Sequence, residues 1–155
     1  MSLISLINVS YQAGTKPLFA QISTSIEHGD RIGLVGHNGS GKSTLLSLMA
    51  GDIEPDDGHL QRQRGLVIGQ VEQFLPDALS QYRLIDAVVE VLPIERQNHE
   101  RYLAENILSE LGFTEHQWHI PMAALSGGQK NLALFARAML LQPELLLLDE
   151  PGNHM

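Results

Sequence analysis

The sequence has no cysteine, which removes disulfides, thiolate metal sites and a cysteine nucleophile together. Aromatic residues make up only 5% of the chain and charged residues 18%, beside 43% apolar residues, a globular rather than a disordered composition. Basic residues are few: 10 Lys+Arg stand against 18 Asp+Glu, a formal charge of −8. Such a surface repels polyanions at long range, so any phosphate the chain holds must be held locally. Long hydrophobic runs are missing too. The longest apolar stretches, such as Leu145 to Leu148, fall far short of the ~18 residues of a membrane span. Met1 to Val9 also lacks the positive start and small-residue cleavage site of a signal peptide. No direct membrane insertion and a cytoplasmic location are therefore expected. At 155 residues the chain is one domain's worth, able to bury about two-thirds of the surface it exposes when unfolded.

What is present reads as alternating β and α segments. Leu3 to Val9 is β-rich, and Leu18, Ala20, Ile22, Thr24 and Ile26 suit the inward face of a half-buried antiparallel strand, with Phe19 breaking the alternation. Arg31-Ile-Gly-Leu-Val35 has the mostly apolar character of a buried parallel strand. After Ser43 a short helix is expected, stopped at Gly51, where a residue without Cβ can take positive φ. His59 to Gln63 and Gly65 to Val71 read as further strands, and 81–111 as mainly helical. A helix from Ser126 to Leu141 should bury Leu132, Phe135, Ala136, Met139 and Leu140 and end before Pro143. Glu144 to Leu148 then reads as a strand buried on both faces.

Gly36-His-Asn-Gly-Ser-Gly-Lys-Ser43 satisfies the phosphate-loop pattern. A polyphosphate is best wrapped by bare backbone N–H groups at a helix N-terminus, where the macrodipole is positive. Lys42 would add a point charge beside the β- and γ-phosphates, and the Ser43 hydroxyl would bind Mg²⁺. An ordinary glycine turn is the alternative, but the position between an expected strand and an expected helix is the one the mechanism requires. Leu145-Leu-Leu-Leu-Asp149-Glu150 places two acids at a strand exit: Asp149 to fix the metal, Glu150 as general base toward water. Acids capping an apolar strand can equally be structural. In Leu125-Ser-Gly-Gly-Gln129 a hydroxyl and two bare amides open an amphipathic helix, either as a second anion-receiving helix end or as a simple N-cap.

These three elements, in this order around a helical insert, resemble the ATP-binding cassette superfamily from Leu3 to Met155. Gly36 to Thr44 and Asp149-Glu-Pro-Gly-Asn-His154 are most similar to its ABC-F group of soluble tandem-cassette ATPases. The resemblance implies an α/β phosphate-loop NTPase fold with an N-terminal antiparallel β portion and a helical subdomain at about 76–141. ATP would be held by Tyr11, matching the aromatic that stacks on adenine, and by Gly36, Asn38, Gly39, Ser40, Gly41, Lys42, Ser43 and Thr44. Gln73 matches the glutamine that reaches Mg²⁺ and the attacking water, with Gln70 the alternative. Mg²⁺ would lie among Ser43, Gln73 and Asp149, with Glu150 and Gln73 catalytic. Ser126, Gly127, Gly128 and Gln129 would contact the γ-phosphate of a facing cassette, so a complete site needs two.

The pattern is departed from at Gly152, usually Thr, at Met155, usually Leu, and at Leu132, usually Arg, and the family continues past this point with an Asp, a switch histidine and further strands. The resemblance therefore implies the front part of a cassette, incomplete at its C-terminus, whose hydrolysis belongs to a larger protein and which by itself hydrolyses nothing. Three targets are compatible: the ribosome in translation, a membrane transporter of which this is the nucleotide-binding subunit, or a nucleotide-responsive module without turnover. His116 and His119 lack a third partner for a zinc site. Arg62 and Arg64 are too small a basic patch to argue nucleic-acid binding.

Overall fold

The computed structural model describes residues 2–33, 41–71 and 75–149, in two compact units, residues 1–68 and 69–155. In the first unit β1 (Ser2–Ala13) and β2 (Lys16–Glu27) form a hairpin, and β3 (Asp57–Arg62) lies on the other edge of β1. All are antiparallel, in the order β2-β1-β3.

Two compensating bulges shape this sheet. Between Leu6↔Thr24 and Val9↔Ile22 the chain spends three steps on β1 against two on β2; between Val9↔Ile22 and Tyr11↔Phe19 it spends two against three. The extra residues are Asn8 and Gln21, with φ of 50° and 51°. Their N–H groups donate to Ser23 Oγ and Ser10 Oγ, both at 3.0 Å, so neither bulge leaves a backbone donor without a partner. Each bulge moves later side chains to the other face. The buried face therefore runs Ile4, Leu6, then Val9, and on β2 Ile26, Ile22, then Phe19. Phe19 breaks the alternation for this reason, and Ala20 and Thr24, expected inward, are exposed.

The helix α1 (Lys42–Ala50) ends at Gly51 with φ 89°, as its sequence predicts. Arg31 to Gly33, expected in a buried parallel strand, is not in a strand and is exposed, Ile32 at 58%. No ladder pairs it among the described residues, and a parallel strand depends on neighbours on both sides. Leu34 and Val35 lie outside the described residues.

The second unit carries α2 (Leu84–Val89), α3 (Ile94–Gln97), α4 (Arg101–Glu110) and α5 (Gly127–Leu140). The insert closes on a clasp at its base. Leu84 N–H donates to the Ile120 carbonyl at 2.9 Å, Met122 N–H to Tyr82 at 2.8 Å, and Ala123 N–H to Ser80 at 3.0 Å. The core gathers Leu84, Val88, Ala104, Leu108, Met122 and Ala136, with Leu132, Phe135 and Met139 only partly buried. On α5, Ala133 and Ala136 are the small residues buried against α2 and α4, while Leu134 and Ala138 are buried in a second cluster with Val71 of β4. The short strands β4 (Ile68–Val71) and β5 (Leu145–Leu148) pair with each other. β4 starts three residues later than Gly65, where the composition first turns apolar. β5 buries only Leu147 fully, and Leu148 is 39% exposed. A strand with one described neighbour does not acquire the two covered faces that its four leucines suggest.

Candidate functional site

Gly41 is the N-cap of α1, in the left-handed region at φ 98°. A Cβ there would lie 3.0 Å from Phe19 Cζ and 3.1 Å from Cε1, so glycine is required by both conformation and space. The cap brings no side-chain hydrogen bond, and no acidic residue stands in the first turn. The first-turn N–H groups, which have no acceptor within the helix, thus meet no carboxylate of their own turn. Lys42 and Ser43 are the first two helical residues and Thr44 the third. This is the local structure an anion site at a helix N-terminus needs.

The aromatic partner lies in the same unit. Tyr11 and Phe19 face each other across β1 and β2, on the face to which the two bulges turned them, and both are half-buried. They line a cavity of about 510 Å³ with Gly14, Pro17, Asp56 and Asp57. Since Phe19 also packs on Gly41, one ring connects the Tyr11 cavity to the start of α1. The sequence reading singled out Tyr11 but not Phe19; the signal that could have found it was the aromatic breaking the β2 alternation. Gly36, Asn38, Gly39 and Ser40 lie outside the described residues.

In the second unit, Ser126 is the N-cap of α5 in a reciprocal capping box. Gln129 N–H donates to Ser126 Oγ at 3.1 Å, and Ser126 N–H donates to Gln129 Oε1 at 3.0 Å. The N-cap reading of this serine therefore holds, and the box orients both side chains. Helix geometry leaves the N–H groups of Gly127 and Gly128 without an intrahelical acceptor. A Cβ at Gly127 would meet nothing within 4 Å, so nothing in the described residues of this chain requires glycine there. Leu132 packs partly buried against the helical core. The tie in α5 comes from Arg137, whose Nη1 donates to the Ala87 carbonyl at 2.5 Å and to Glu90 Oε2 at 2.9 Å, holding α5 to the C-terminal turn of α2.

Asp149 directly follows β5 and is half-buried. Glu150, Gln73 and the tail with Gly152, Asn153, His154 and Met155 lie outside the described residues; Gln70, the alternative to Gln73, is an exposed residue of β4. His119 Nδ1 lies 3.0 Å from Arg83 Nη1. Arg83 and Arg101 both bond Asp86, at 2.7 and 3.1 Å. Burial pushes the Asp86 carboxyl up, but these two guanidinium groups outweigh it and leave it below the usual carboxylate range. No described helix is long and apolar enough to cross a membrane.

A glycine-capped helix start beside an aromatic pair, in an α/β chain with a capped second helix, defines a phosphate-loop nucleotide-binding domain. The ABC transporter family model matches residues 19–153, and the chain belongs to that family as an ATP-binding cassette. It is 35% identical over 156 residues to ABC transporter F family member 4 of Arabidopsis thaliana, covering 99% of this chain and 22% of that protein. It is 33% identical to the ribosome protection protein VmlR of Bacillus subtilis (99% and 24% covered). It is 34% identical to the zinc import ATP-binding protein ZnuC of Photobacterium profundum (97% and 56%). The chain thus spans about a fifth to just over half of these relatives. Among solved structures, a metal-chelate type ABC transporter in an inward-facing conformation superposes with TM-score 0.85 at 30% identity, covering 100% of this chain and 63% of that one.

Proposed function

We propose that this cassette binds ATP with Mg²⁺ and, paired with a second cassette, hydrolyses it by in-line attack of water, within an ABC-F-like cytoplasmic protein that acts on the ribosome. The observation that carries the nucleotide reading is Gly41, left-handed and packed on Phe19, which sets the N-terminus of α1 beside the Tyr11 cavity. The residues present fit the nucleotide: an aromatic face for the base, then a helix start with Lys42 and Ser43 for the phosphates. When bound, Mg²⁺ would neutralise charge on the β- and γ-phosphates. Lys42 and the loop amides around Gly36, Asn38, Gly39, Ser40 and Gly41 would hold the anion, and by resemblance to the family Ser43, Gln73 and Asp149 would hold the metal. Glu150 takes the proton of the attacking water, and Gln73 orients that water. Ser126, Gly127, Gly128 and Gln129 offer a capped, unobstructed helix end to the nucleotide of the facing cassette; the open space at Gly127 supports this role.

Saturable uptake of Mg·ATP by the chain in equilibrium dialysis, lost in Lys42→Ala, is the expected result, and no saturable uptake in the unaltered chain refutes the reading. In the paired protein, Glu150→Gln should keep ATP binding and trap the closed pair; unchanged turnover would place the base elsewhere. The ribosomal target rests on the likeness to the F family member and to the ribosome protection protein. The comparable likeness to a zinc import ATP-binding protein supports a second reading, a transporter subunit. Co-sedimentation with ribosomes rather than with membranes decides between them.

A further inference from the structure

Arg62, the last residue of β3, stands directly opposite Ile4 of β1, with Leu60 opposite Leu6. Directly opposed residues point to the same side of a sheet, and Ile4 and Leu6 are 0% and 1% exposed. Arg62 thus lies on the same side of the sheet as these buried residues, but at the strand end, where its side chain is exposed to solvent. Its guanidinium is used there. Nε donates to the Met49 carbonyl at 3.0 Å and Nη2 to the Leu48 carbonyl at 2.6 Å, both in the last turn of α1.

That turn has no basic residue of its own, and its carbonyls carry the negative end of the helix dipole. A planar fork with two donors fixes position as well as charge. The other end of α1 is held by Gly41 against Phe19 on β2. The helix therefore lies across the sheet, tied to β2 at its start and to β3 at its end. Sliding or rotating α1 would move Lys42 and Ser43 relative to Tyr11; the burial of Leu48 and Met49 holds the last turn against the core, and the two directional bonds from Arg62 fix its carbonyls in place.

We infer that Arg62 is a positioning residue of the nucleotide site: by clasping the C-terminal carbonyls of α1 it sets where the phosphate-binding helix start stands relative to the base-binding aromatic pair. Arg62 acts through α1, about 10 Å of helix away from the phosphate end, and does so without touching nucleotide. The inference rests on the ATP-binding reading above. It predicts a loss that appears in the phosphate part of the ligand and not in the base.

The test is titration calorimetry of Mg·ATP and of adenosine on the unaltered chain, Arg62→Gln and Arg62→Lys, with folding checked by circular dichroism. Arg62→Gln is expected to weaken Mg·ATP about tenfold, the scale of one lost charge-assisted hydrogen bond, and to leave adenosine within about twofold. Arg62→Lys, with the charge but without the fork, should recover part of the loss. If ATP and adenosine weaken together, Arg62 merely holds the fold; if ATP affinity does not change, the clasp has no bearing on the site. Either result overturns the inference while Mg·ATP binding to the unaltered chain keeps the parent reading; failure of that binding overturns both. Should Arg62→Gln not fold, Arg62→Lys carries the same comparison, with ATP weakened about threefold and adenosine unchanged expected.

Discussion

Replacing Gly41 with alanine puts a methyl group 3.0 Å from Phe19 Cζ and 3.1 Å from Cε1, on a residue at φ 98°. The left-handed backbone costs a residue bearing a Cβ about 1–2 kcal/mol. Moving the Phe19 ring by a few tenths of an ångström in a packed setting adds about 1 kcal/mol. The sum of about 2–3 kcal/mol corresponds to a fall in Tm of roughly 5–10 °C for a chain of this size, read by thermal melting followed by circular dichroism. Gly127→Ala is the matched control. It also adds one methyl group to the first turn of a helix, but at a position with nothing within 4 Å and without positive φ. Helix propensity then makes it neutral or stabilising by up to about 1 kcal/mol. Its cost should appear only in ATP-driven pairing of cassettes. A Gly41→Ala chain melting within about 1 °C of the parent, or a Gly127→Ala chain falling equally far, would refute the reasoning that the first glycine answers to this chain's own packing and the second to a partner.

Ser126→Ala removes the acceptor for Gln129 N–H and should cost about 1 kcal/mol in urea unfolding; a smaller change in Gln129→Ala would show that the hydroxyl, not the amide, dominates the box. Arg137→Met keeps the stem but leaves the Ala87 carbonyl and Glu90 without their donor, and is expected to lose about 1–2 kcal/mol by the same assay. Asp86, held below the usual carboxylate range by Arg83 and Arg101 against its partial burial, contributes stability that is full above the unfolded pKa of about 3.9 and lost as pH falls through the lower folded value. Acid unfolding of the parent should therefore steepen below about pH 4 relative to Asp86→Asn, and superimposable acid transitions would contradict this.

The chemistry-bearing local structure was legible in the sequence because it is decided within a few residues. The helix after Ser43 and its stop at Gly51, the helix from Ser126, and its end before Pro143 follow from capping residues and from glycine and proline backbone limits. Lys42, Ser43 and the Ser126 to Gln129 segment stand at the helix starts where short-range pattern put them, whereas Tyr11 came from the family resemblance alone. Positions that depend on pairing over distance were misread. Ala20 faces outward because the bulge at Gln21 shifts strand parity, Thr24 is exposed although it stands opposite Leu6 because β2 is at the edge of the sheet, and β5 is covered less than four leucines in a row suggest. A bulge is a choice of register between two strands, which neither strand's alternation reveals.

By itself, then, the sequence determined where the helices after Gly41 and after Ser126 begin and end. Only the tertiary structure decided that Phe19 joins Tyr11 to Gly41, and that Arg62, set aside as a minor basic patch, holds the far end of the same helix. Both are contacts between different elements, fixed by strand order and by carbonyl groups that need a donor, and no local pattern carries that information.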